Sequence, residues 1–69
     1  MADKFLYQTV HICDGEVTLI EMDNKRTKLE GNLLWTVYLG LAGQKGWELV
    51  SKNHLGGLYY EATLKKRVE

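Results

Sequence analysis

Apolar and polar residues alternate from Phe5 to Ile12. Leu6, Val10 and Ile12 share one parity, interrupted by Gln8, and Phe5, Tyr7, Thr9 and His11 share the other. This alternation, in a stretch rich in aromatic and β-branched residues, predicts a strand. Asp14-Gly15 follows, a dipeptide suited to a tight hairpin turn because both central residues there need positive φ. Val17 to Met22 alternates again and predicts the returning strand. Asp23 to Gly31 is polar and charged and reads as a loop.

The period then changes. Asn32 is a candidate helix N-cap, since its side chain can accept a first-turn N–H. The spacing predicts a helix from Leu33 to Lys45, ended by Gly46 in a left-handed C′ conformation, with Lys45 suiting the helix dipole. Trp47 to Lys52 predicts a strand anchored by Trp47 and Leu49. His54 to Gly57 reads as a turn made permissive by Gly56-Gly57. Leu58 to Lys66 predicts the last strand, with Leu58, Tyr60, Ala62 and Leu64 on one face. The expected order is β-β-α-β-β in one domain, residues 1–69. That is an α+β two-layer fold, an antiparallel sheet of three to four strands with one helix on one face.

The helix carries more apolar surface than one sheet can cover. On a wheel of about 100° per residue, Trp35, Tyr38, Leu39 and Ala42 form the core side. Leu34, Val37 and Leu41 lie beside them, and Leu33 widens the arc to about 240°, against a usual stripe of a little over 100°. Thr36, Gly40 and Gly43 fill the remaining sector. Two mid-helix glycines cost roughly 1–2 kcal/mol relative to alanine. That cost suggests close backbone packing there, against the protein's own sheet or a second chain. The sheet also has apolar residues on both faces, with Val50 and Tyr59 on the side away from the core. The candidate interface is therefore Leu34, Val37, Tyr38, Gly40, Leu41, Val50 and Tyr59.

Size strengthens this reading. A chain of 69 residues buries only about 60% of its unfolded surface, and small domains commonly add disulfides, a metal or self-association. Cys13 is the single cysteine, so no disulfide forms within the chain. A reducing, cytoplasmic compartment is expected, because Met1-Ala2-Asp3-Lys4 lacks the order of a signal peptide. The stretch Leu33 to Gly43 is too short for a bilayer, which takes about 20 residues. Self-association, as a dimer, is the favoured remedy.

Charge is balanced, with nine basic and nine acidic residues. A nucleic-acid binder needs a basic domain or stripe, and only Lys25, Arg26 and Lys28, then Lys65, Lys66 and Arg67, cluster. Tyr59 and Tyr60 could stack on bases, but adjacent strand residues point to opposite faces. For metal, His11 and Cys13 share a strand face. Four ligands would require His54 and a carboxylate as well, and a polar strand residue beside a small buried thiol explains the pair more simply. A Cys13–His nucleophile is disfavoured by Asp14 and Glu16, which oppose a thiolate. Glu48 and Glu61 would make a carboxylate pair only if their strands place them in register. Gly40-Leu41-Ala42-Gly43 matches no phosphate-binding loop. No cofactor is implied, and no catalytic constellation is seen.

The stretch Leu39-Gly40-Leu41-Ala42-Gly43-Gln44-Lys45-Gly46-Trp47-Glu48-Leu49-Val50 resembles the signature of a family of small bacterial proteins of unknown function, approximately L-x-x-L-G-x-x-G-W-E-L-V. Phe5 to Val10 looks like that family's first strand, and Tyr59 to Arg67 like its last. The resemblance implies a fold and no catalytic residues. Ala42 stands where the family usually has leucine, and Gly40 and Leu41 where polar residues are usual. These departures suggest that the helix packs differently here, against another copy.

The sequence thus favours a small self-associating cytoplasmic module acting through protein–protein contact. The alternative is a small-ligand or metal-binding module, using a pocket between Trp47, Tyr60 and the helix or the His11/Cys13 pair. Nucleic-acid binding is the weakest of the three, and no membrane association is expected.

Overall fold

The computed structural model describes residues 4–29 and 33–68. Its elements are β1 (Phe5–Cys13), β2 (Glu16–Met22), β3 (Lys25–Lys28), α1 (Trp35–Gln44), β4 (Trp47–Gly56) and β5 (Tyr59–Arg67). All five strands form one antiparallel sheet in the spatial order β3-β2-β1-β5-β4. The expectation of three to four strands is corrected to five, and the order becomes β-β-β-α-β-β. One helix on one face of this sheet makes the fold α+β.

The added strand lies inside the segment read as a loop. Asp23 (φ 54°) and Asn24 (φ 63°) turn the chain sharply, with the paired positive φ of a tight hairpin. Lys25–Lys28 then pairs with Leu19–Met22. Its four residues are all exposed, so no apolar alternation reveals the strand. Lysines on such an edge oppose pairing with other chains.

Strand β1 is central, paired along its whole length with β5 and with β2 beyond Tyr7. Its inward parity is Gln8, Val10 and Ile12, all buried. Opposite them stand Leu64, Ala62 and Tyr60 on β5 and Ile20 and Val17 on β2. Thr18 is the extra residue of a bulge in β2, and its hydroxyl donates to the His11 carbonyl. The bulge lets both Val17 and Ile20 face the core. Trp35 and Ala42 of α1 close that core from above.

The helix is shorter at its start than the predicted Leu33–Lys45. Asn32, the proposed N-cap, lies outside the described residues. Leu34 occupies the N-cap position in extended geometry, without a side-chain cap. The sheet satisfies this end instead. The Val17 N–H donates to the Leu33 carbonyl, and the Trp35 N–H donates to the Gly15 carbonyl, each at 2.8 Å. Helix entry is thereby tied to the first hairpin. At the other end, the Lys45 and Gly46 N–H groups bond the Ala42 and Gly43 carbonyls, and Gly46 adopts φ 94°.

Strand β4 runs beyond the predicted Lys52 to Gly56, and the turn moves to Gly57 and Leu58. Two bulges make this possible: Val50 and Leu55 have no counterpart on β5. Trp47 packs against the core, but Leu49 is exposed rather than an anchor, although it pairs with Leu64.

Gly40 and Gly43 correct the packing argument. A Cβ at either would meet nothing within 4 Å, so neither permits close approach of the protein's own sheet. Gly40→Ala is therefore expected to stabilise the fold by roughly 0.8–1 kcal/mol through helix propensity. Gly46→Ala, forced into positive φ, is expected to destabilise it by about 1–2 kcal/mol. Urea unfolding of the two variants checks this, and the opposite signs separate helix propensity from backbone strain.

Candidate interaction surface and cleft

The outer side of α1 is apolar and open. Leu34, Val37 and Leu41 are 52%, 48% and 51% exposed, on a helix whose sequence, WTVYLGLAGQ, holds no charge. Gly40, in the sector next to Val37, faces open space. The wheel places these residues on the outside because Trp35 and Ala42 are drawn to the sheet. The other proposed interface residues are elsewhere. Tyr38 is partly buried against the core. Val50 sits at a bulge of edge strand β4. Tyr59 pairs with Cys13 and has the opposite parity to the core residue Tyr60, so it belongs to the sheet face away from the helix.

Beside the helix is a cleft of about 430 Å³. The sheet contributes Gln8, Ile20 and Met22, and α1 contributes Tyr38, Leu41 and Ala42. Leu33, Lys45 and Trp47 complete the lining. The sequence placed a pocket between Trp47, Tyr60 and the helix. Trp47 does line the cleft, but Tyr60 does not. Tyr60 instead lies against His54 (ring centroids 4.8 Å apart) and under Lys52 (Nζ 4.7 Å from the ring).

Among the described residues, one side-chain hydrogen bond lies at the cleft. The Tyr38 hydroxyl donates to Gln8 Oε1 at 2.6 Å. Gln8 is only 3% exposed, and burial of its amide is tolerable because it is hydrogen-bonded. The sequence showed Gln8 as an interruption of one parity, and the structure makes that parity the inward one. Nothing in it pointed to Tyr38 as the partner, which is 30 residues away. Burial pushes the Tyr38 phenol above its ordinary value, more than the bond to Gln8 lowers it.

The sheet face away from the helix carries a chain of charge. Arg26 Nε donates to Glu21 Oε2 at 2.6 Å, and His11 Nε2 lies 3.0 Å from Glu21 Oε1. These two bonds, Arg26 first, hold the Glu21 carboxyl below the usual carboxylate range. Arg26 is thus engaged, and Lys65 lies over the Phe5 ring at 4.8 Å. The two basic clusters stand on strands β3 and β5, separated by β2 and β1.

The register separates the remaining candidates. His54 pairs with Tyr60, which pairs with Ile12, so His54 belongs to the helix-side parity and His11 and Cys13 to the other. His54 Nε2 lies 2.7 Å from the Gly57 carbonyl. Among the described residues, no group of three or more His, Cys, Asp or Glu is placed to hold a metal ion. Glu48 pairs with Lys65 and Glu61 with Asn53, so the two carboxylates do not meet. No described helix is long and apolar enough to cross a membrane.

No protein-family model matches the chain, and no curated protein or solved structure matches it either.

Tyr38→Phe would leave the buried Gln8 carbonyl without its donor and is expected to cost about 1–3 kcal/mol in urea unfolding. The raised phenol pKa also favours the neutral form in the folded state. Its stabilisation is present in full below the unfolded phenol's pKa near 10 and is lost as pH rises through the folded value. Alkaline unfolding should therefore begin at lower pH in wild type than in a Tyr38→Phe variant compared at matched starting stability. For Glu21 the sign is reversed. Its lowered pKa gives stability present above about 4.5 and lost as pH falls through the folded value. A carboxyl-detected NMR titration should show Glu21 below 4.5, moving up toward that value in Arg26→Ala.

Proposed function

We propose that this protein is a non-catalytic binding module that pairs with a second copy of itself through the outer face of α1. The observation that carries the reading is the exposure of Leu34, Val37 and Leu41 together on an uncharged helix. Contiguous apolar surface of this kind marks interaction sites. A second copy is the favoured occupant because the face has no charge to repel its own image, and Gly40 leaves room for another backbone. The small size of the domain makes the added burial valuable. A reducing, cytoplasmic setting suits the free thiol of Cys13.

The magnitude predicts a reversible pair. Fully burying a leucine or valine is worth about 1.5–3 kcal/mol, and half of that is already gained in the single chain. Three side chains from each copy then supply several kcal/mol, similar to the about 4–15 kcal/mol entropic cost of association. Dimerisation should therefore depend on concentration.

Sedimentation velocity across a dilution series tests this. Wild type is expected to move from dimer mass to monomer mass on dilution. Leu34→Glu combined with Val37→Glu should be a folded monomer throughout. Gly40→Ala should weaken pairing while raising the stability of the single chain. A wild type that stays monomeric at high concentration, or a double variant that keeps dimer mass, would overturn the proposal.

A further inference from the structure

The cleft beside α1 has a composition that self-association does not explain. Its volume, about 430 Å³, falls in the range of small-molecule sites, about 300–1,000 Å³. Its walls are apolar, from Ile20, Met22, Leu33, Leu41 and Trp47. Among the described residues, its polar groups are those of Gln8, Tyr38, Lys45 and the Trp47 indole. Gln8 Oε1 is occupied by the Tyr38 hydroxyl, but among the described residues nothing bonds the Gln8 amide nitrogen. Yet no buried side-chain nitrogen or oxygen lacks a partner there, so this nitrogen keeps some accessible surface although Gln8 is 97% covered. Gln8 also lines the cleft.

Charge selects the ligand further. Lys45 is exposed and, among the described residues, is the single charged residue of the lining. Lys66 adds a second cation nearby, its Nζ 6.0 Å from the Trp47 ring. Among the described residues, no carboxylate lines the cleft. An apolar slot with a buried N–H donor and a cation at its rim suits a carboxylate on an apolar tail. A cation would find no counter-charge among the described residues, and a neutral ligand would make no use of Lys45.

We propose that this cleft binds an organic monoanion of that class, a carboxylate carrying an alkyl or aryl body. The carboxylate accepts from the Gln8 amide and lies near Lys45, while the tail lies along Ile20, Met22 and Trp47. Leu34 and Val37 do not line the cleft and Leu41 alone is shared with the pairing face, so substitutions at Leu34 and Val37 test the two proposals separately.

The test is an NMR titration with sodium octanoate below its micellar range, run beside octanol and octylammonium. It uses both wild type and the Leu34→Glu, Val37→Glu double variant. Octanoate is expected to shift the Gln8 side-chain amide and Trp47 indole signals in both proteins, and to bind more tightly than either comparison compound. Gln8→Leu should weaken octanoate binding about tenfold or more, the usual weight of a hydrogen bond to a charged group. Lys45→Gln, at an exposed position that does not threaten folding, should weaken it by about two- to fivefold and remove most of its salt dependence. No shift at cleft residues would overturn the proposal. So would equal binding of octanol or octylammonium, or an unchanged affinity in Lys45→Gln. Binding seen only in the double variant would assign the cleft to the second copy and would also overturn it.

Discussion

A single short helix must cover a sheet that is too large for it. Ten residues of α1 span about 15 Å, whereas strands of nine and ten residues run about 30 Å. Five strands side by side add a width near 20 Å. The helix therefore buries a compact patch around Val10, Ile12, Val17, Ala62 and Leu64 and leaves the flanks open. The cleft over Ile20 and Met22 is one such flank. The exposed Leu49, Val50 and Leu55 of β4 lie on another. Gln8 sits near the boundary, beneath Tyr38 yet beside the opening. The polar residue in the buried parity thus falls where helix cover gives way.

The same constraint explains how the helix is held. It lacks a side-chain N-cap and charges in either terminal turn, and it carries two glycines. Isolated helices of this length are marginal in water. Two features compensate. Backbone bonds from the Leu33–Trp35 segment to Gly15 and Val17 fix its entry. Trp35 and Tyr38 stack with ring centroids 6.5 Å apart, joining its first turn to the core and the cleft. The first hairpin must therefore be in place before the helix has a partner for its leading N–H.

Much of this architecture was legible from side-chain parity. The alternation in β1, β2 and β5, the helix–Gly46–strand junction and the outward position of Leu34, Val37 and Leu41 all follow from periodicity. Three features did not. Strand β3 has no apolar residue, so its pairing rests on backbone bonds, on the Asp23-Asn24 turn and on the Arg26–Glu21 contact. The extension of β4 depends on bulges at Val50 and Leu55, which shift parity within the strand and hide its continuation. The small-residue stripe was legible, but its direction depends on which apolar side the sheet takes, and the sheet took Trp35 and Ala42. For the cleft, Gln8 was visible as an irregularity, whereas its bond to Tyr38 exists only after β1 and α1 are stacked.

Leu41 is where the two open surfaces of the helix meet. It is half exposed on the outer face and also lines the cleft. A contact that buries Leu41 from the outer side changes the apolar wall of the cleft, and an occupant of the cleft changes what Leu41 offers outward. Any such influence must be reciprocal, because it is a coupling free energy shared by both binding events. Its size is bounded by what one partly exposed leucine can contribute, on the order of 1 kcal/mol, or roughly a fivefold change in affinity at most. Leu34 and Val37 lie outside that overlap. The helix thus has an open apolar outer face and, beside it, a cleft lined in part by Gln8, and Leu41 belongs to both.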